Sequence, residues 1–318
     1  MSEFIRDSFS VSKRLMKKVV APSTLLAHIS KYVPISDELY LSVRYYLTFG
    51  RRLDLANPTT FTAKIQWLKR YGHPELYAPL ADKFAVRDYV SATIGSQYLN
   101  RMIAVYRNAA EIDWEKLPDS FVLKASHASG WNLIVRDKKS LSRDVAIDQC
   151  TRWLTSKYTD FQRESVYKNI EPRIICVEYL GDPDVDLHDY KLYCFNGKVK
   201  MIHVDTGRFI SHRRTFYSPD WDRLPFTYTY PGGETVARPE GLEKMIVLAE
   251  ALAGSMPFVR VDFFHTKDQI VFCEMTFYPD GGFGAFSPGE WDTTVGNYLA
   301  LPAYSMSPDY QPGIPVHH

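Results

Sequence analysis

The chain has 318 residues, 45% of them hydrophobic and 24% charged, an ordinary composition for a folded globular protein. Lys and Arg number 38 against 37 Asp and Glu, and a net charge of +1 gives no electrostatic case for a nucleic-acid partner. No apolar run reaches the ~18 residues of a membrane span, and the start, Met1-Ser2-Glu3-Phe4-Ile5-Arg6-Asp7, lacks the apolar core of a secretory signal.

At roughly 150 residues per domain, the length fits two domains or one enzyme with subdomains. Cys150, Cys176, Cys194 and Cys273 lie far apart, three of them inside apolar strand-like runs, which reads as reduced thiols in a cytoplasmic protein.

In chain order, Val11 to Val20 is a basic stretch with apolar residues between Lys13, Arg14, Lys17 and Lys18. A helix is expected over Ser36 to Phe49, with Ser36 as N-cap and Asp37 and Glu38 at its positive end. Another follows Asn57-Pro58-Thr59-Thr60, with Phe61, Ile65 and Leu68 on one face. Pro79 is expected to open a helix through about Val90 that ends near Gly95. Phe121 to Lys124 and Asn132 to Val135 read as paired strands around the small-residue loop Ala125 to Trp131. Ser142 to Lys157 suits a helix and Arg173 to Leu180 a strand. Asp189 to Phe195 and Lys198 to Val204 form a hairpin around Asn196-Gly197. Pro239 to Leu252 is helical, and Phe258 to His265 and Gln269 to Met275 make a second hairpin around Lys267-Asp268. A helical start, a mixed middle and a β-rich end give an α+β class.

The second hairpin carries the clearest chemistry. Alternation puts Arg260, Asp262 and Phe264 on one face of its first strand and Phe272, Glu274 and Thr276 on one face of the second. If Asp262 opposes Glu274, the two carboxylates repel unless a cation lies between them, and hard oxygen donors suit Mg²⁺ shared with phosphates.

Asp262-Phe263-Phe264, a turn, then Glu274-Met275-Thr276 ahead of Phe277 to Phe283 resembles the ATP-grasp superfamily. Thr276 stands where that family usually has asparagine. Pro58 to Leu68, Ala81 to Val90, Phe121 to Asn132 and Arg260 to Gly282 together resemble its TupA-like branch, named for teichuronopeptide biosynthesis.

The resemblance implies an α+β ATP-grasp fold, two subdomains gripping ATP, with a helical N-terminal extension over 1–75. A pre-grasp segment would span 76–120, a subdomain with a phosphate loop 121–180, a subdomain with the Mg²⁺ site 181–300, and a poorly ordered tail 301–318. It implies ATP and Mg²⁺ as cofactors, with Asp262, Glu274 and Thr276 on the metal. Lys124, Lys191 and Arg260 would act in catalysis, the two lysines on phosphates and Arg260 at the developing acylphosphate. Arg87, Ser129 and Gly130 would also contact phosphate, and His127 would touch it or cap the loop. Glu178, Tyr179 and Leu180 would hold adenine, and Asp184 or Asp186 the ribose.

The implied reaction is amide formation between a sugar carboxylate, such as a hexuronic acid of a surface polysaccharide or its lipid-linked precursor, and an amino acid or peptide. Arg208, His212, Arg213, Asp280 and Gly282 are the expected substrate contacts, and Phe216, Tyr217, Trp221, Tyr228 and Tyr230 are candidates to stack on sugar. Two other readings stay open at this point: a sugar kinase with Asp205 or Asp280 as base, and a nucleotide- or glycan-binding scaffold. The expected location is the cytoplasm, with at most a peripheral contact to the inner face of the membrane through the basic N-terminal stretch.

Overall fold

A computed structural model describes residues 22–30, 32–181, 188–207, 211–266 and 269–302. The basic stretch 11–20, the turn at Lys267-Asp268, Asp184, Asp186, Arg208 and residues 303–318 of the tail lie outside the described residues.

The chain divides into two compact units, 1–52 and 53–318. The first contains helices α1 (Pro22–Ile29) and α2 (Asp37–Phe49). Ser36 accepts from the Leu39 N–H and caps α2 as expected, and Gly50, at φ +66°, ends it.

The second unit opens with α3 (Phe61–Tyr71), α4 (Pro74–Ala81) and α5 (Val86–Thr93). Thr60 caps α3 by accepting from the Ala63 N–H. The single helix expected from Pro79 to Val90 is instead two. Pro79 lies inside α4, and the Asp82 carboxylate folds back on the Phe84 N–H at 2.9 Å, so the backbone turns before α5 begins. Lys83 therefore stands on a turn and Arg87 in α5.

Strands β1 (Met102–Tyr106), β2 (Phe121–Ala125) and β3 (Asn132–Val135) precede α6 (Arg143–Thr155) and the short α7 (Thr159–Gln162); β4 (Ile174–Glu178) then completes a small antiparallel sheet in the order β1-β4-β2-β3. Its core joins Phe121, Leu123, Ile174 and Cys176 to Ala146, Cys150 and Trp153 of α6.

A larger antiparallel sheet runs β10-β9-β5-β6-β7, built from β5 (Asp189–Phe195), β6 (Lys198–Thr206), β7 (Arg213–Tyr217), β9 (Phe258–His265) and β10 (Ile270–Thr276). A two-residue strand β8 (Thr227–Tyr228) pairs with β11 (Phe286–Ser287), α8 (Leu242–Ala253) follows β8, and α9 (Trp291–Gly296) comes last. Asn196 and Gly197 adopt φ of +48° and +78°, as the two-residue turn between β5 and β6 requires.

Register divides the large sheet into two faces. Leu192 pairs with Ile202 and Val261, and Tyr190 with Val204 and Phe263, so these side chains share one face. That face is buried with Leu242, Met245, Ala249 and Leu252 of α8. On the opposite face, the end near Phe195 and Phe258 is aromatic and meets Phe61 of α3, with ring centres 5.9 and 5.3 Å away. The other end of that face is charged.

The start of α3 is tied to α9. The buried Asp292 carboxylate accepts from the Thr62 N–H at 2.8 Å and its hydroxyl at 2.6 Å. Asp292→Ala should cost about 2 kcal/mol of stability, because it leaves buried donors unmet. Urea unfolding checks this, and an unchanged midpoint would show that the link is unimportant.

Candidate functional site

The charged half of the large sheet is fixed by strand pairing. Asp262 pairs with Glu274 and Arg260 with Thr276 across β9 and β10, so the two carboxylates do face each other. Lys191 pairs with both Asp262 and His203, Asp189 with Asp205, and Asp205 with Arg214. All of these side chains therefore project from one face. All but the fully buried His203 line a cleft of about 560 Å³ together with Lys83, Lys124, Ser129, Gly130 and Asn132, and with Tyr158, Gln162 and Glu164.

Cations separate the facing carboxylates. Arg260 grips Asp262 with two hydrogen bonds, Nε–Oδ1 at 2.7 Å and Nη2–Oδ2 at 2.6 Å. The same Nη2 donates to the Thr276 hydroxyl at 3.1 Å and lies 3.6 Å from Glu274. Lys83 pairs with Glu274 at 3.3 Å and donates to the Ala128 carbonyl of the small-residue loop at 2.6 Å. Lys191 pairs with Asp189 and stands 3.7 Å from Asp262 and 3.9 Å from Asp205. Burial would raise the Glu274 carboxyl, but Lys83, Arg260, Lys191 and Lys124 outweigh it and bring it down to about 2. Lys124, on β2, has its ammonium pushed down by burial, against the pull of Cys273 and Glu274. Burial drives the neighbouring Cys273 thiol up to about 12, so it is no thiolate nucleophile near neutral pH.

A second cluster closes the far end. Asp205 is met by Arg214 at 2.8 Å, His212 at 3.1 Å and His203 at 3.5 Å. Burial opposes ionisation of Asp205, yet the Arg214 guanidinium bonded to it holds its carboxyl far below the usual range. Arg214 also donates to Asp280 at 3.1 Å and lies over the Tyr230 ring at 4.8 Å, and His212 packs on that ring at 3.9 Å.

The turn that carries Asp280 is held from outside the cleft by α3. Gln66 donates to the carbonyls of Gly281 and Gly282 at 3.2 and 2.8 Å. Lys69, only 3% exposed, donates to Gly281 O and, at 2.9 Å, to Gln162 O. One buried ammonium thus fastens two segments of the cleft lining, around Gln162 and Gly281.

Several expected site residues are brought together in the cleft: Lys124, Ser129, Gly130, Lys191, His212, Arg260, Asp262, Glu274, Thr276 and Asp280. Others have different places. Arg87 donates to the Asn100 side chain at 3.0 Å and to its carbonyl at 2.6 Å, while Lys83 reaches the cleft instead. His127 is buried, with Nε2 3.1 Å from the Trp153 carbonyl of α6, and is not among the residues that line the cleft. Arg213 is exposed and lines a separate groove, because alternation along β7 sends Arg214 into the cleft. Gly282 faces α3, where a side chain would meet Gln66 and Ile65. Phe216, Tyr217 and Tyr228 are core residues and Trp221 stacks flat on Tyr217, so of the five candidate aromatics Tyr230 lines the cleft. Glu178 ends β4, and its carboxylate accepts the Arg101 N–H at 2.6 Å; Tyr179 and Leu180 follow it directly.

Sequence reading did not name Tyr158, Glu164, Gln66 or Lys69 as parts of this site, and of the neighbours Arg213 and Arg214 it set the first among the expected contacts. For Arg214 a signal was present: with Phe216 in the core, period-two alternation places Arg214 on the same inner face.

Among the described residues no group of three or more His, Cys, Asp or Glu forms a ready-made metal cage. Asp262, Glu274 and the Thr276 hydroxyl are hard oxygen donors on one face, a set that fits Mg²⁺ drawing its remaining ligands from phosphate and water. Glu274 is the more open of the two carboxylates, 24% exposed against 3% for Asp262.

A family model described as TupA-like ATPgrasp matches residues 63–300. Among solved structures, the D-alanine–D-alanine ligase of Bacillus anthracis complexed with ATP is 15% identical, with a TM-score of 0.41 over 66% of this chain and 61% of that one. The D-alanyl-alanine synthetase A of Vibrio cholerae is also 15% identical, with a TM-score of 0.41 over 64% of this chain and 57% of that one. The D-cycloserine synthetase DcsG is 14% identical, with a TM-score of 0.38 over 64% of each chain. The chain thus spans about three fifths of the length of these structures. No curated protein matches the sequence.

Burial pushes the imidazoles of His127 and His203 below their usual value. The folded chain holds them neutral, whereas the unfolded chain protonates them as pH falls through about 6.5. Their stabilising contribution is therefore complete above that pH and lost below it, by up to about 1.4 kcal/mol per pH unit for each group. Urea unfolding between about pH 7 and pH 5 should show this loss, and His127→Gln should flatten part of it. An identical slope in the variant would contradict the assignment of His127.

Proposed function

The chain belongs to the TupA-like ATP-grasp family, and on that premise we propose that it is an ATP- and Mg²⁺-dependent carboxylate–amine ligase. The observation that carries the reading is one cleft in which Lys83, Lys124, Lys191 and Arg260 surround the facing carboxylates Asp262 and Glu274. Such a site suits phosphoryl transfer, where charge neutralisation and alignment dominate and no protein nucleophile is needed.

In the proposed reaction a substrate carboxylate oxygen attacks the γ-phosphorus of ATP, and the bond to the bridging oxygen breaks to release ADP. An amine then attacks the acyl carbon of the resulting acylphosphate; phosphate leaves, and the nitrogen loses a proton to give the amide. Lys124, Lys191 and Lys83 would bind the phosphates, with Ser129 and Gly130 of the loop beside them. Arg260 would neutralise the charge that develops on the transferring group. Asp262, Glu274 and Thr276 would hold Mg²⁺, which supplies charge neutralisation on the phosphate oxygens. Glu178 and the backbone at Tyr179 and Leu180 would receive the adenine, next to the ribose candidates Asp184 and Asp186.

The substrate end would comprise His212, Arg214, Asp280 and Tyr230, with Arg214 replacing Arg213 and Gly281 replacing Gly282. We assign the carboxylate to a hexuronic acid of a bacterial surface polysaccharide or its precursor, in keeping with the branch's association with teichuronopeptide, and the amine to an amino acid or peptide. Tyr230 offers a ring for a sugar to stack on, and the reaction would run in the cytoplasm, where ATP is supplied.

The kinase alternative loses one of its two candidate bases. Asp205 is ringed by Arg214, His203 and His212 and held ionised far below the usual range, so it is a poor proton acceptor. Asp280, the other, is tied to Arg214 and to the Thr229 hydroxyl, each at 3.1 Å.

With ATP, Mg²⁺, uronic-acid oligosaccharides and mixed amino acids, ADP and free phosphate should appear in equal amounts, and only when carboxylate and amine are both present. Glu274→Gln should lower that rate by roughly a hundredfold or more, and Lys124→Ala should weaken ATP binding by at least about tenfold. ADP without free phosphate would move the assignment to a kinase, and full activity in Glu274→Gln would remove the metal site.

A further inference from the structure

The N-terminal unit differs from the rest of the chain in charge and in surface. Residues 1–52 contain nine Lys and Arg against four Asp and Glu, although the whole chain is balanced to +1. The remainder is therefore acidic, at −4. Four of the nine, Lys13, Arg14, Lys17 and Lys18, fall within six consecutive positions just before α1.

Among the described residues thirteen large apolar side chains are exposed, and seven of them belong to this short unit. On α1 Leu25 and Ile29 are exposed one turn apart, and the connection that follows exposes Tyr32, at 78%, and Val33. On α2 Leu39, Tyr46 and Leu47 recur at i, i+7 and i+8. Each helix thus presents an apolar stripe of its own. Neither can span a bilayer: α1 has 8 residues and α2 has 13, and no helix among the described residues is long and apolar enough to cross one.

Short helices with exposed leucine, isoleucine and tyrosine, beside a lysine-rich segment, have the chemistry of an interfacial anchor. A second copy of the chain is a poorer occupant, because it would bring the same excess of positive charge to the contact, whereas an anionic surface attracts it. We propose that residues 1–52 dock the protein peripherally on an anionic lipid bilayer. The stripes of α1 and α2 enter the headgroup boundary, and the positive charge of residues 1–52 favours anionic over neutral headgroups. The inference does not rest on the ligase reading, and binding can be measured without turnover.

The test is co-sedimentation of the full chain with phosphatidylcholine vesicles, with and without about 30 mol% phosphatidylglycerol. The expected result is strong retention on the anionic vesicles, little on the neutral ones, and loss of retention as salt is raised. Leu25→Ser with Tyr32→Ser and Leu39→Ser should each way lower partitioning, together by roughly tenfold or more, and exchanging Lys13, Arg14, Lys17 and Lys18 for Gln should do the same. The three apolar positions are exposed, so helix content by circular dichroism should not change. Equal retention on both vesicle types, or none on either, would overturn the proposal. So would a dimer, seen by light scattering, that the serine substitutions dissolve without any vesicle binding. The lipid and salt dependence of the unaltered chain decides the matter even if a variant fails to fold.

Discussion

The site depends on how two like-charged side chains are kept together. Strand register forces Asp262 and Glu274 to face each other, and two facing carboxylates in a buried place cost several kcal/mol unless cations compensate. Arg260 supplies a two-pronged bond to Asp262, and Lys191 and Lys83 flank the pair from β5 and from the turn before α5. The cations come from separate parts of the chain, Arg260 and Lys191 from the large sheet itself and Lys83 from a turn more than a hundred residues earlier. The sheet face that carries it is divided along its strands, aromatic where it meets α3 and charged where it forms the cleft floor.

The same compensation sets the chemistry available at each end of the cleft. Near Glu274, Lys83 and Lys124 accompany a small-residue loop, and Lys124 is half-buried, an arrangement that favours an anion with several oxygens. Near Asp280 the charges are matched with one another through Arg214 and Asp205, beside the half-buried ring pair of Tyr230 and His212. Under the proposed reaction, a site divided in this way would activate at one end and select at the other. The turn between those ends is held by Gln66 and Lys69 from α3, which places a helix outside the cleft in control of its geometry.

Much of this was legible in the sequence because it follows from local rules. The Ser36 and Thr60 caps, the Asn196-Gly197 hairpin and the facing of Asp262 with Glu274 each follow from a few neighbouring residues and a period of two or 3.6. What was not legible is long-range. Gln66 and Lys69 look like ordinary polar positions on an amphipathic helix, and only the return of the chain more than two hundred residues later gives them Gly281 as a partner. The break after Ala81 turns on one carboxylate choosing a backbone N–H over solvent, which propensity does not foresee. The strand β1, half-buried except at the exposed Val105, carries no strong alternation, and the aromatic run from Phe216 to Tyr230 could equally have been a binding surface or a core.

The central claim is that a substrate carboxylate becomes an acylphosphate in this cleft, and oxygen labelling tests it most directly. The uronic carboxylate would be enriched in ¹⁸O, turned over with ATP, Mg²⁺ and the amine, and the released phosphate examined by mass spectrometry. The account predicts that one labelled oxygen per turnover moves from the carboxylate into free phosphate, since that oxygen bridges carbon and phosphorus before the amine arrives. Amide formed with unlabelled phosphate, the displaced carboxylate oxygen appearing in AMP or water instead, would contradict it.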